Sequence, residues 1–318
     1  MVELDVRVRA RRNEADGICS FELEPVADAP LPSFSAGAHI DVHVPSGPVR
    51  QYSLCSDPQD RGIWRIGVLR EPASRGGSSG MHDAAPVGTV LKVSAPKNLF
   101  ALTEAPYSVL VAGGIGVTPI LAMALQLERD GKPFELHYCA RAPERMAFRD
   151  EIGASRFSDR ASMYFSDRAD SRQFDAVAAF RTAPAGAHLY VCGPAGFMDH
   201  VLASARTAGW AEERLHREHF AGAVQETTGD QPFQLRLARS GATLDVPVGM
   251  TALQVLLDSG IDVNYSCESG VCGTCITSVL EGMPDHRDSC LMDSERADNK
   301  LFTPCCSRAK TPALVLDL

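Results

Sequence analysis

Cysteines carry the first chemistry visible in this chain. Cys267, Cys272 and Cys275 fall in the run CESGVCGTC, and an adjacent pair, Cys305 and Cys306, follows downstream. C-x4-C-x2-C with a distant fourth cysteine is a thiolate spacing that holds a [2Fe–2S] cluster. A cluster of this kind accepts one electron at a time. Three thiolates so close in sequence must converge on one small core, and Gly270 and Gly273 give the loop the freedom to wrap around it. Backbone N–H groups turned toward the sulfurs would stabilise the anionic core. The bare spacing admits either Cys305 or Cys306 as fourth ligand, with Cys290 a bystander. The competing readings are buried free thiols and structural zinc. Zinc usually takes two C-x2-C-type pairs, and only Cys272 and Cys275 form one.

Two further sets of residues suit phosphate and ring binding. Val109 to Ile120 reads VLVAGGIGVTPI, a buried strand running into Gly113, Gly114 and Gly116 and then a helix with Pro119 in its first turn. Glycines there let the backbone approach a pyrophosphate, which the free N–H groups of a helix start attract. Pro119 stands where a G-x-G-x-x-G fingerprint would have its third glycine, so taken alone this run describes a merely structural turn about as well. Tyr190 to Gly196, YVCGPAG, is a second strand ending in a turn, at Gly193 and Pro194. In an open parallel sheet both turns would lie at the carboxyl ends of strands, where nucleotides bind. Cys192 would then stand beside a nicotinamide ring; its plainer reading is a buried apolar thiol. Arg50-Gln51-Tyr52-Ser53-Leu54 and the loop Arg75-Gly76-Gly77-Ser78-Ser79 offer a guanidinium and a Gly/Ser turn for a phosphate. Tyr52 could pack on an isoalloxazine ring, although the same residues also describe a plain strand with a surface arginine.

The elements that must position these residues change character twice. Residues 1–104 are short strands punctuated by Gly, Pro and Ser, the pattern of an antiparallel β-barrel. Residues 105–222 alternate strands, at Val109–Ala112, Glu135–Cys139, Ser162–Ser166 and His188–Cys192, with helical stretches, the pattern of an α/β parallel sheet. Residues 223–232 are polar and read as a linker. Residues 233–318 form a compact α+β ferredoxin-like (β-grasp) unit, in which Thr251-Ala-Leu-Gln254 reads as a capping box opening a short helix that ends at Gly260. The expectation is three domains.

The 318 residues carry a net charge of −9, which argues against nucleic acid or anionic membranes as partners. No apolar run has the length of a membrane span, and the N-terminus alternates like a strand instead of presenting a signal core. The remaining cysteines are scattered, as expected of a cytoplasmic protein.

In order and wording, RQYSL, RGGSS, GGIGVTP, CGPAGFM, CESGVCGTC, DHRD and CCSRAK…LVLDL resemble the phthalate dioxygenase reductase family, which includes vanillate demethylase reductases. The resemblance spans essentially the whole chain. It implies an FMN-binding barrel, an NADH domain and a C-terminal [2Fe–2S] domain. It also selects Cys305, before Cys306-Ser307-Arg308, as the fourth ligand. Carried over position by position, it places Arg50, Gln51, Tyr52 and Ser53 at the flavin, with Ser53 near the reactive nitrogen. It places Gly67, Val68 and Leu69 along the ring edge and Gly76, Gly77 and Ser78 at the phosphate. Thr118 would reach the flavin from the nucleotide domain, and Phe220 would stack on the ring. Simple strand alternation puts Ser53 opposite Arg50 and Tyr52, so a local bend is expected. The chain departs from the family at Arg217 and His219-Phe220, where a second aromatic and Ser-Phe are usual.

Electron counting supplies the mechanism. NADH gives two electrons together and the cluster takes one, and a flavin is the usual converter between them. Ser53, Cys192 and Glu218 are the residues expected to tune this transfer. Arg141 and Arg145 could serve a 2′-phosphate, but Asp167 would repel it, and the resemblance also favours NADH. The reading is the reductase component of a Rieske-type oxygenase or demethylase, with that terminal oxygenase as its protein partner. A reductase for a cytochrome P450 or another acceptor is the alternative, and a flavin/Fe–S redox sensor or a zinc protein a more distant one.

Overall fold

The computed structural model describes residues 3–72, 74, 76–167, 173–220 and 227–318. Arg75 of the Gly/Ser loop lies outside them, as do the first residues of the expected linker. Two compact units emerge, Met1–Glu218 and His219–Leu318.

The first unit begins with seven strands: β1 (Glu3–Ala15), β2 (Ile18–Pro25), β3 (Ala38–His43), β4 (Val49–Ser53), β5 (Trp64–Leu69), β6 (Val90–Ser94) and β7 (Lys97–Asn98). They pair antiparallel in the order β4-β3-β6-β1-β2-β5, with β7 also on β3. A Leu54–Ile66 bridge brings the chain after β4 against β5, the other end of the path, and curls the sheet into a barrel. Alternate side chains fill it: Val6 and Val8 of β1, Phe21 and Leu23 of β2, and Ile40 and Val42 of β3 are all buried. Helix α1 (Gly77–Ala84) lies between β5 and β6, where the sequence reading had a loop among strands.

The same unit continues into a parallel sheet of β8 (Ser108–Gly113), β9 (Phe134–Ala140), β10 (Ala161–Phe165), β11 (His188–Cys192) and β12 (Leu215–Glu218), in the order β10-β9-β8-β11-β12. The first four match the strands read from sequence. β12 was missed, because four residues reading LHRE show no apolar pattern. Alternation along β8 and β11 sorts the two faces. Leu110, Ala112, Tyr190 and Cys192 join α2 (Val117–Arg129) and α3 (Arg149–Ala154) in one core. Val109, Val111, Leu189 and Val191 join α4 (Ala176–Thr182) and α5 (Ala195–Thr207) in another. The order reverses between β8 and β11, so their carboxyl ends open the crevice where ligands of such sheets bind. Barrel residues Ile18, Ala36, Cys55 and Phe100 share the core of α2. That continuity makes barrel and sheet one unit.

The second unit is a mixed sheet, β14-β13-β19-β15-β17, built from β13 (Phe233–Leu237), β14 (Thr243–Val246), β15 (Thr277–Glu281), β17 (Leu301–Phe302) and β19 (Ala313–Leu316). β16 (Pro284–Asp285) and β18 (Arg308–Ala309) form a separate ribbon, and α7 (Asp293–Asp298) follows β16. Helix α6 (Ala252–Asp258) packs Leu253 and Leu256 on the sheet. Only half of its expected capping box forms. Thr251 Oγ1 accepts from Gln254 N at 3.1 Å, but the Gln254 amide turns instead to Asp258. As read, the helix is followed by a left-handed Gly260, with φ 74°.

Candidate functional site

Ser53 closes β4, opposite His39 of β3, and is buried. Its Oγ donates to Glu218 Oε2 at 3.2 Å, a bond joining the barrel to the last strand of the parallel sheet. Glu218 pairs with Cys192 across β11 and β12. Glu218 keeps an edge to solvent but is packed round by protein, and this desolvation pushes its carboxyl up to about 8, against the pull of the Ser53 hydrogen bond. Burial, and then the neighbouring Glu218 charge, holds the Cys192 thiol well above its ordinary range. A serine, a thiol and a carboxyl that is easily protonated thus meet at the crevice.

The two glycine turns touch beside them. A Cβ on Gly116 would fall 2.3 Å from the Cys192 carbonyl oxygen, and one on Gly193 would fall 3.0 Å from the Gly113 Cα. Pro194 and Phe197 close over Gly113, and Gly114 takes a φ of 54°. Thr118 is buried and donates to the Ile115 carbonyl at 3.1 Å. Its methyl lies 2.7 Å from where a Gly67 Cβ would stand, so the nucleotide turn abuts barrel strand β5. β5 ends the path of the barrel sheet, and no described strand pairs with the outer edge of Gly67, Val68 and Leu69. A hydrogen-bonding ring can lie along such an edge.

Arg50 and the start of α1 form a second subsite. A Cβ on Gly77 would come within 2.8 Å of Arg50 Nε, so only glycine leaves the guanidinium this place. Gly76, at φ 89°, precedes the helix and has no side chain to cap it, while Ser74 Oγ accepts from Ser79 N at 3.2 Å. The N–H groups of Gly77 and Ser78 at the helix start, beside a guanidinium, fit a phosphate. Ser78 Oγ accepts from Glu71 N at 3.0 Å. Gln51 donates to Asp41 Oδ1 at 2.9 Å and lies 3.2 Å from His39 Nε2. Tyr52 packs against the barrel core, and its buried hydroxyl has no hydrogen-bond partner among the described residues. The β3–β4 ladder is regular through Ser53, so the bend expected to bring Ser53 to the face of Arg50 and Tyr52 is not there, and Leu54 then crosses to Ile66. Phe220 stands exposed near the start of the second unit.

In that second unit the Cys267 and Cys272 thiols neighbour each other, as do those of Cys275 and Cys305, and Cys306 adjoins Cys305 as well. Glu268, Gly270 and Gly273 are left-handed, at φ 53°, 74° and 68°. The loop they shape turns Val271 N and Cys272 N to Cys267 Sγ and Thr274 N to Cys272 Sγ, each at 3.4 Å. Inward N–H groups of this kind suit an anionic cluster. Thiols placed as neighbouring pairs suit a core of two metals. Cys306 packs beside Thr303 and Gly270. Sequence reasoning missed Asp288 and the Arg65–Glu151–Phe148 contact. Asp288 had a signal, as the last residue of DHRD; the contact had none.

Residues 235–310 match the family model of the 2Fe-2S iron-sulfur cluster binding domain, and residues 110–203 that of the oxidoreductase NAD-binding domain. The chain is 50% identical to vanillate O-demethylase oxidoreductase of Pseudomonas putida, over 99% of this chain and 100% of that one. The solved structure of phthalate dioxygenase reductase, described as a modular structure for electron transfer from pyridine nucleotides to [2Fe–2S], superposes with a TM-score of 0.79 at 38% identity, covering 99% of this chain and 98% of the other. An intact type IV self-sufficient cytochrome P450 monooxygenase matches with a TM-score of 0.85 at 38% identity, but this chain spans only 41% of its length. On sequence and fold over its full length, the chain belongs to the phthalate dioxygenase reductase family, and it is an NADH-dependent flavin iron–sulfur oxidoreductase with FMN and a [2Fe–2S] cluster as its cofactors.

Proposed function

We propose that this chain is the reductase of a Rieske-type oxygenase, and that the oxygenase acts as an aromatic O-demethylase. The observation that carries the reading is the presence, in one chain, of a nucleotide crevice closed by the Ser53–Glu218 bond and a unit holding two thiol pairs. Bound FMN supplies the conversion between two-electron and one-electron chemistry, and the cluster a one-electron relay. This chain's residues do the rest. Arg50, Gly76, Gly77 and the α1 start hold the phosphate. The outer edge of β5 aligns the ring, Thr118 and Gly67 set the closest approach of the nucleotide turn, and Gly113, Gly114, Gly116, Gly193 and Pro194 admit the dinucleotide. Ser53 and Glu218 hold a proton beside the reacting ring, while Cys192 shapes the nicotinamide side. Cys267, Cys272, Cys275 and Cys305 hold the cluster. A reducing cytoplasm suits a chain with this many free thiols.

The test is an anaerobic NADH titration followed by absorbance and paramagnetic resonance, then reconstitution with purified acceptors. Uptake of about three electron equivalents is expected, with onward transfer to a Rieske-type O-demethylase. The likeness to a self-sufficient P450 favours one second reading, a P450 reductase. Faster transfer to a P450 than to any Rieske oxygenase would establish that reading instead.

A further inference from the structure

The segment Asp285-His286-Arg287-Asp288-Ser289-Cys290-Leu291 joins β16 to α7 and takes no part in the chemistry above. It touches both halves of the thiol set. Ser289 N donates to the Gly270 carbonyl at 2.9 Å, inside the loop between Cys267 and Cys272. Arg287 N donates to Ser307 Oγ at 3.1 Å, just beyond Cys305. Asp288 stands between these two contacts, and its side chain has 0% exposure. Its Oδ2 accepts from Leu291 N at 2.9 Å, and its Oδ1 accepts from Thr303 Oγ1 at 3.4 Å. Thr303 in turn shares a 2.6 Å hydrogen bond with Ser307. A Cβ on Gly270 would stand 3.0 Å from the Asp288 Cα, so the ligand loop rests directly on this residue.

The carboxylate is only partly compensated. Arg296 of α7 approaches Oδ2 at 3.8 Å, His286 Nδ1 lies 3.7 Å from Oδ1, and the Cys290 thiol donates to Oδ2 at 3.6 Å. Its field already reaches neighbouring sulfur: after burial, the Asp288 charge is the next cause of the rise of the Cys290 thiol. A negative charge fixed in a water-free interior opposes the addition of another electron nearby, and cluster potentials respond to local charge and hydrogen bonding.

We propose that Asp288 sets the reduction potential of the cluster, holding it low so that the electron is passed to a partner protein and not retained. The proposal rests on the cluster reading above, which iron content and the paramagnetic signal of the reduced wild-type protein test separately.

The experiment is a redox titration of the purified holoprotein, following cluster and flavin independently, for wild type, Asp288→Asn, Asp288→Glu and Arg296→Gln. Asp288→Asn should raise the cluster midpoint, moving the flavin–cluster equilibrium toward the cluster by roughly tenfold, with the flavin midpoint unmoved. Asp288→Glu keeps the charge and should stay close to wild type. Arg296→Gln removes the opposing charge and should lower the midpoint. An unchanged midpoint in Asp288→Asn, or an equal shift in Asp288→Glu, would overturn the proposal. If Asp288→Asn fails to hold its cluster, Arg296→Gln decides alone, and an unchanged or raised midpoint there refutes it.

Discussion

Glu218 is the residue on which the proton chemistry of the crevice turns. Its carboxyl titrates near 8 because burial penalises the charged form more than Ser53 favours it. The rate of flavin reduction by NADH should therefore change as pH crosses about 8, and Glu218→Gln should flatten that profile in stopped-flow measurements. A profile unaltered by Glu218→Gln would remove the residue from the reaction. Stability follows the same group. Between the ordinary carboxyl range and about 8 the folded state binds the extra proton, so the contribution of Glu218 is present at low pH and lost as pH rises through 8. Thermal melts of wild type should show that decline, and melts of Glu218→Gln a shallower one. The sequence reading named both Ser53 and Glu218, but not that they are partners. Nothing in sequence spacing reveals that Ser53 and Glu218, which are 165 positions apart, share a hydrogen bond.

Between elements, β5 and α3 are clasped. Arg65 of β5 makes a two-point ion pair with Glu151 of α3, at 2.7 and 2.8 Å, and donates to the Cys55 carbonyl at 3.1 Å. Its guanidinium also lies over the Phe148 ring, 4.9 Å from the centroid. Phe148 is left-handed, at φ 57°, a strained conformation for a side chain of this size, and its ring faces Gly67. The clasp therefore fixes how far β5 stands from the nucleotide turn. Arg65→Ala should cost about 2 kcal/mol of stability, read as a lower melting temperature. It should also slow NADH-dependent flavin reduction while leaving FMN content unchanged; reduction at the wild-type rate would limit the clasp to a structural role. Four strands of the parallel sheet were legible because they are apolar or β-branched runs, as in β8 and β11, and α6 because of its cap and closing glycine. What escaped was set by tertiary context: β12 is polar, α1 is a glycine-led helix, and Gln254 preferred Asp258 to its cap.

For the whole molecule, the division of labour between units gives a separable prediction. The first unit contains the crevice and the second all four paired thiols. Cys272→Ser should abolish cluster reduction yet leave NADH-to-flavin transfer near wild type; losing both would mean that the units are interdependent. Organisation at this scale was readable because each motif lies in its own stretch of chain, whereas the merging of barrel and parallel sheet through one core, with Ile18 and Phe100 beside α2, was not. The bond between Ser53 and Glu218 also has a consequence for how the protein is made. At about 5–20 residues per second, a ribosome needs on the order of ten seconds or more to travel between these two positions. The barrel's own strands are made early, but Ser53 must wait for a strand that comes last in its unit, and such distant contacts are slow to close. β12 is also made before any of the four thiols, so in every nascent chain the residues of the electron inlet precede those of its outlet.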